Sequence, residues 1–376
     1  MAALMLVPVT LVNNGEPTKK ILRDIVGTFL TKEWATVDPE TLVFSYKSSY
    51  ANAHCPVERP TPASGSLSEP LKVFIKFHHT IGSDIDTFKH LVPSKQDEAL
   101  LCYEYGRSSL GAKVYGFFQT QDGTLGRIDE FLDARNLEPE DVEDESIRSD
   151  IAKGLATFHS MKTNLKATSV EAYYKAVTGG LVEYHKLGKL KVLAKEGGVD
   201  LDELVDYDFA GRLEEAVSKL ESMNAKKGWN IHDVQFMNTM VKKNPQPGES
   251  KVVLIDFEFV MQNYRAFDIG GHFMQKLFKW FDEENKIANC SAYTKKEKRH
   301  FCSVYAKQWN HLTGDEDSDQ QLYDEAEYGY LLALAFDIHN MLCFMDKAGD
   351  NDPLNLHGLS KLFTEFKGQY NRLQLK

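Results

Sequence analysis

The chain has 376 residues, 42% of them hydrophobic, enough to bury a substantial core and more than one small module needs. Its formal net charge of −11 argues against nucleic acid or an anionic membrane as the main partner, since both select a basic surface, and favours a cationic small substrate. Five cysteines, odd in number and without CxxC spacing, indicate neither a disulfide framework nor a zinc site and point to a reducing, cytoplasmic location.

The N-terminal ALMLVPVTLV is apolar, but it lacks a basic leader region and a small-residue cleavage site, and Pro8 interrupts it, so it reads as packed structure. Ile21, Ile25 and Phe29 recur at helical spacing and predict a helix over residues 19–34. Strands are predicted at 41–46 and 71–77, separated by the loop ERPTPASGSLSEP. A helix at 96–105 and strands at 113–118 and 126–131 follow. Residues 1–127 therefore read as a small strand-rich lobe and 128–133 as a hinge.

Beyond Asp133 the texture changes. The acidic EPEDVEDES gives way to Ile147, Ile151, Leu155 and Phe158 on one helical face, and helical patterns dominate residues 134–376. Leu213, Val217 and Leu220 mark one helix, and further helices are predicted at 325–345 and 359–373. The apolar run at 328–345 contains Asp337, His339 and Asn340, too interrupted for a membrane span, and is expected to be a buried helix. The fold class is α+β, two-lobed, with a nucleotide expected in the cleft between lobes.

The densest chemistry lies between Trp229 and Phe273. In HDVQFMN, Asp233 and Asn238 stand five apart, and VVLIDFEF follows after a turn with Asp256 at its centre. That order is the arithmetic of phosphoryl transfer: one carboxylate orients and deprotonates a hydroxyl, while an amide oxygen and a second carboxylate hold Mg2+ on the phosphates of ATP. Asp-x4-Asn alone is weak, because an Asx turn gives the same pattern. The second half strengthens it: residues 251–259 read as a buried strand, and the turn-rich KKNPQPGES folds that strand back on residues 239–242, bringing Asp256 to Asn238.

In KVFIKFHH, Lys76 lies within an apolar strand, where a cation is expensive unless paired. Its functional reading is a phosphate-binding lysine and its bland reading an edge-strand lysine facing water. Glu98, on the following helix, is the candidate partner. A phosphate-cradling loop normally carries glycine, whereas FSYKSSYANAHC has none and offers only Ser45, Ser48, Ser49 and Ala51.

These residues resemble the choline/ethanolamine kinase family, protein-kinase-like enzymes that phosphorylate an amino alcohol with ATP and Mg2+. The resemblance runs from about Leu71 to the C-terminus. It is densest in LGAKVYGFF with GRIDEFLDARNL, closer to choline kinases, and in LIDFEFVMQNYRAFDIGGHF, a nearly complete family signature. It implies Asp233 as catalytic base, Gln235 in the same nucleotide-proximal loop, Asn238 and Asp256 on Mg2+, Lys76 as the phosphate-binding cation and Glu98 as the partner of that cation. Arg265 and Asp268 would be structural. It further implies phosphocholine formation for phospholipid synthesis, with ethanolamine as the alternative acceptor, and a homodimer.

Several positions depart from the family. The usual His-Asn-Asp is here Ile231, His232, Asp233, so His232 reads as a structural substitute. Gln275 replaces a glutamate, Phe259 a tyrosine and Gly271 an asparagine, and an ungapped alignment sets Asn340 and Cys343 where paired tryptophans belong. Phe336, Phe344, Trp280 and Trp309 would compensate only by facing the substrate, and helix packing is their expected role. Two other classes therefore stay open: a kinase-fold protein that binds without chemistry, and an aminoglycoside-type phosphotransferase.

Overall fold

The computed structural model describes residues 4–11, 16–48, 52–61, 67–78, 88, 90–166, 168–280, 282, 290–348 and 353–375. They form two compact units, Met1–Asp84 with Pro93–Asp133, and Ile85–Val92 with Ala134–Lys376.

The first unit runs β1 (Leu4–Leu6), α1 (Lys19–Phe29), α2 (Glu33–Thr36), β2 (Val43–Phe44), β3 (Lys47–Ser48), β4 (Asn52–Glu58), β5 (Lys72–His78), α3 (Lys95–Gly106), β6 (Val114–Gln119) and β7 (Leu125–Glu130). The described strands form a seven-stranded sheet ordered β1-β6-β7-β5-β4-β2, with β3 also on β4. Val73, Ile75 and Phe77 alternate along β5 and bury one face in the same hydrophobic cluster as Leu22, Ile25 and Val26 of α1, as period-two and period-3.6 patterns require. Thr18 caps α1 by accepting the Ile21 N–H. The helix predicted at 19–34 breaks after Phe29, and Glu33–Thr36 forms a separate turn whose Trp34 is fully buried. Residues 128–130 of the segment read as a hinge complete β7.

The second unit continues with β8 (Ala134–Asn136), α4 (Glu145–His159), α5 (Val170–Leu187), α6 (Lys189–Glu196), α7 (Asp202–Val205), α8 (Phe209–Ser222), β9 (Lys227–Asn230), β10 (Thr239–Lys242), β11 (Val252–Leu254), β12 (Met261–Tyr264), α9 (Ala266–Gln275), α10 (Lys295–Thr313), α11 (Asp319–Ala348) and α12 (Pro353–Arg372). Asp144 caps α4, and Ile147, Ile151, Leu155 and Phe158 lie on its buried face as their spacing predicts. The long helix α11 packs against α9 and α12. It is long and apolar enough to cross a membrane by composition, yet 72% of that stretch is buried within the protein, the signature of a core helix.

Two short sheets carry the functional loops. β10 lies between β11 and β8, and β9 pairs with β12. The strand expected over 251–259 ends at Leu254. Ile255 N–H donates to the Asn238 carbonyl at 3.0 Å, and Asp256 then takes φ +64°, turning the chain out of the ladder. A left-handed conformation costs an aspartate about 1–3 kcal/mol, and it is retained only where the surroundings impose it.

Candidate active site

The β10–β11 hairpin sets the distance between the two metal candidates. Thr239 pairs with Leu254, so the residues just outside the ladder, Asn238 and Asp256, emerge from the same end of it. Asn238 Nδ2 donates to the Asp233 carbonyl at 3.1 Å and to its carboxylate at 2.9 Å. With its N–H2 spent on Asp233, the Asn238 amide presents its oxygen to the other side. Gln235 also hydrogen-bonds the Asp233 carboxylate, so the five-residue spacing closes into a loop about Asp233.

Three carboxylates converge there. Burial pushes the Asp233 carboxyl up, and the charges of Asp256 and Glu258 push it further, to about 7. Among the described residues no lysine, arginine or histidine forms an ion pair with Asp233, and no three His, Cys, Asp or Glu side chains make a preformed metal cage. Asn238, Asp256 and Asp233 are hard oxygen donors, and Mg2+ typically takes one or two carboxylates and completes its shell with phosphate and water, so the residues fit that ion.

The loop backbone is held from below. Asp268, fully buried in α9, accepts Ile231 N–H at 2.6 Å and His232 N–H at 3.0 Å. His159 Nε2 lies 2.9 Å from the same carboxylate and its Nδ1 2.7 Å from the Tyr305 hydroxyl. His232, at φ +64°, has both ring nitrogens committed: Nδ1 lies 3.1 Å from the Asn230 carbonyl, and Nε2 2.9 Å from the Asn263 side-chain amide. Burial lowers its pKa to about 4, so it stays neutral and serves as a brace. Arg265 is likewise buried, paired with Asp317 and Glu325 beneath the Trp309 ring.

In the first unit, Lys76 is 4% exposed on β5, which has β4 on one side and β7 on the other, so the edge-strand reading is excluded. Its Nζ lies 3.8 Å from Glu98 Oε1. Glu98 sits in the first turn of α3, capped by Ser94, where the helix N-terminus favours a negative charge. Lys95 and Arg127 also reach it, at 2.8 and 3.6 Å. Burial opposes the Glu98 charge, but Lys76 and Lys95 with their neighbours hold its pKa well below the usual carboxylate range. In the glycine-free segment, Lys47 and Ser48 pair antiparallel with His54 and Ala53. Ser49 and Ala51 lie outside the described residues.

Two carboxylates escaped the sequence reading. Glu258 follows Asp256 by two residues. Asp337 lies on α11, where Gln275 Nε2 donates to its Oδ2 at 2.7 Å while Trp280 Nε1 holds Gln275 Oε1 at 3.0 Å. Burial and then the charge of Asp233 push the Asp337 carboxyl up to about 8. The available signal was a lone aspartate within the apolar run of α11. Of the proposed compensating rings, Phe336 is 1% exposed and packs on Phe88, Tyr173 and Phe259, Trp280 serves Gln275, and Trp309 covers Arg265. Phe344 is 60% exposed, which departs from the packing role expected of it.

A family model described as choline/ethanolamine kinase matches residues 69–342. The chain is 28% identical to mouse (Mus musculus) choline kinase alpha over 225 residues, 58% of this chain and 46% of that protein. It is 26% identical to a human (Homo sapiens) choline/ethanolamine kinase over 297 residues, 77% of this chain and 70% of that one. The chain thus spans about half the length of the mouse relative. Among solved structures, a Cryptosporidium parvum choline kinase superposes with a TM-score of 0.64 at 12% identity, covering 94% of this chain and 96% of its own, a likeness of the protein-kinase-like fold.

Proposed function

The chain belongs to the choline/ethanolamine kinase family, and from that premise we propose that it transfers the γ-phosphoryl group of ATP to the hydroxyl of a small amino alcohol. The observation that carries this reading is the convergence of Asp233, Asn238 and Asp256 at one end of the β10–β11 hairpin. Asp233 orients the acceptor hydroxyl and takes its proton as the oxygen attacks. A new O–P bond forms at the γ-phosphorus, the bridging O–P bond breaks, and ADP leaves with the electron pair. A carboxylate held near neutrality is matched to accepting a proton at operating pH. Asn238 and Asp256 would hold Mg2+, which when bound neutralises the charge of the phosphates.

Lys76, fixed by Glu98, supplies the cation for the nucleotide phosphates. Most of the rate then comes from positioning and charge neutralisation. The acceptors to test are choline, which the segment GRIDEFLDARNL favours, and ethanolamine, which the packing of the described rings around Phe336 against one another favours. The five cysteines are all free thiols, as a reducing cytoplasm allows.

The experiment is ADP release from purified protein with ATP and Mg2+, across choline, ethanolamine, their N-methylated intermediates and an aminoglycoside, with Asp233→Asn as blank. Amine-dependent ADP above the blank supports the reading. ATP binding without turnover on any amine would replace it with a non-catalytic binder.

A further inference from the structure

The site holds more negative charge than the proposed chemistry uses. Asp233 has a hydroxyl to deprotonate, and Asp256 a metal to hold. Asp337 has neither task, yet the preceding residue on α11, Phe336, meets the ring of His232, the residue before Asp233, with centroids 5.9 Å apart, which brings the two aspartates into one neighbourhood. Neither carboxylate forms an ion pair with a cation among the described residues. Two partly buried carboxylates without a counter-ion are unfavourable when both are charged, and a bound cation is what stabilises them in that form.

The surroundings of Asp337 are built to hold a carboxylate in place. Trp280 fixes Gln275, which can then offer only its N–H2, and that group donates to Asp337 Oδ2. Nearby, the Tyr173 hydroxyl is fully buried and has no hydrogen-bond partner among the described residues, and it lies within reach of the Asp337 charge. A carboxylate with lone pairs left over after the Gln275 bond and an unpartnered hydroxyl together make a polar corner that can take a further N–H donor.

Among the described residues the aromatic side chains here do not form an alternative cradle. Phe88, Tyr173, Phe259 and Phe336 are each at most 9% exposed. Phe88 stacks on Tyr173 with centroids 5.8 Å apart and tilts against Phe336 at 5.5 Å, while Phe259 meets Phe336 edge-on at 6.0 Å. Their faces are spent on one another. A quaternary ammonium is recognised through open ring faces, because it has no N–H to donate.

We propose that Asp337, positioned by Gln275, binds the ammonium group of the acceptor, and that the acceptor class is an amino alcohol whose nitrogen retains N–H bonds. The proposal rests on the phosphotransferase reading above. It orders the acceptor across the site, with the hydroxyl at Asp233 and the ammonium at Asp337, separated by a short carbon spacer. Removing the carboxylate takes away a charge-assisted hydrogen bond, whose loss corresponds to about a tenfold or greater loss of affinity.

The test compares wild type, Asp337→Asn and Asp337→Glu in two assays. In steady-state kinetics, wild type should favour ethanolamine over choline by about tenfold or more in kcat/KM. Asp337→Asn should raise the ethanolamine KM by about tenfold or more, change kcat far less and narrow the preference over choline, and Asp337→Glu should restore part of it. In calorimetry with Mg2+ and a non-hydrolysable ATP analogue, ethanolamine should bind wild type and bind Asp337→Asn at least about tenfold more weakly. Choline used as well as ethanolamine would overturn the acceptor class. An unchanged ethanolamine KM or Kd in Asp337→Asn would overturn the assignment of Asp337. Absence of turnover in wild type, with ethanolamine binding that depends on Asp337, would overturn the phosphotransfer reading alone and uphold this one.

Discussion

Asp268 Oδ1 accepts the backbone N–H of His232 at 3.0 Å, one residue before the candidate base Asp233. Its other oxygen takes Ile231 N–H, so a single carboxylate on α9 fixes the direction in which the loop presents Asp233. Asp268→Asn turns one acceptor into a donor against a buried N–H. It should lower stability by about 1–3 kcal/mol and reduce kcat more than it affects the ATP KM. Denaturant melts and steady-state kinetics on one preparation check both.

Asp233→Asn keeps the shape of the loop and removes the proton acceptor. Turnover should fall by about 10²–10⁴-fold while ATP affinity stays nearly unchanged. ADP release and nucleotide titration separate the two effects, and a joint loss of ATP binding and fold would contradict the role given to Asp233.

Lys76 and Glu98 should respond unequally although they face each other. Glu98→Ala takes away the buried carboxylate that Lys76, Lys95 and Arg127 share and should cost about 3–5 kcal/mol of stability. Lys76→Ala leaves Glu98 with Lys95 and Arg127, so it should unfold at a denaturant concentration nearer wild type yet show a raised ATP KM. Equal stability losses in the two variants would contradict this asymmetry.

The Asp337 carboxyl gives a pH dependence of definite sign. Its pKa is raised from 3.8 to about 8 in the folded protein, so the folded state holds the proton more tightly than the unfolded chain. Its contribution to stability is complete below pH 3.8 and is lost as pH rises through about 8. Asp337→Asn should therefore raise the melting temperature of the ligand-free protein at pH 8 more than at pH 5. A constant difference across that range would contradict the assigned shift.

What the sequence by itself determined was local and periodic. The helical faces of α4 and α8, the strands β5, β6 and β7, and the turn-rich segment that joins β10 to β11 all follow from repeat spacing and turn residues, because such patterns are fixed by neighbours in the chain. The proximity of Asp233, Asn238 and Asp256 was legible for the same reason: a short loop and a hairpin can close their spacing without help from elsewhere. Only the tertiary structure decided the rest. The brace from Asp268 to the loop spans 36 residues, and the Gln275 bond to Asp337 spans 62. β4, with Pro56 in its midst, became a strand because β5 offered it a full register of partners. The burial of Lys76 and the raised pKa of Asp337 likewise depend on which elements pack around them, and burial and pairing are set by distant segments whose contacts no local pattern encodes.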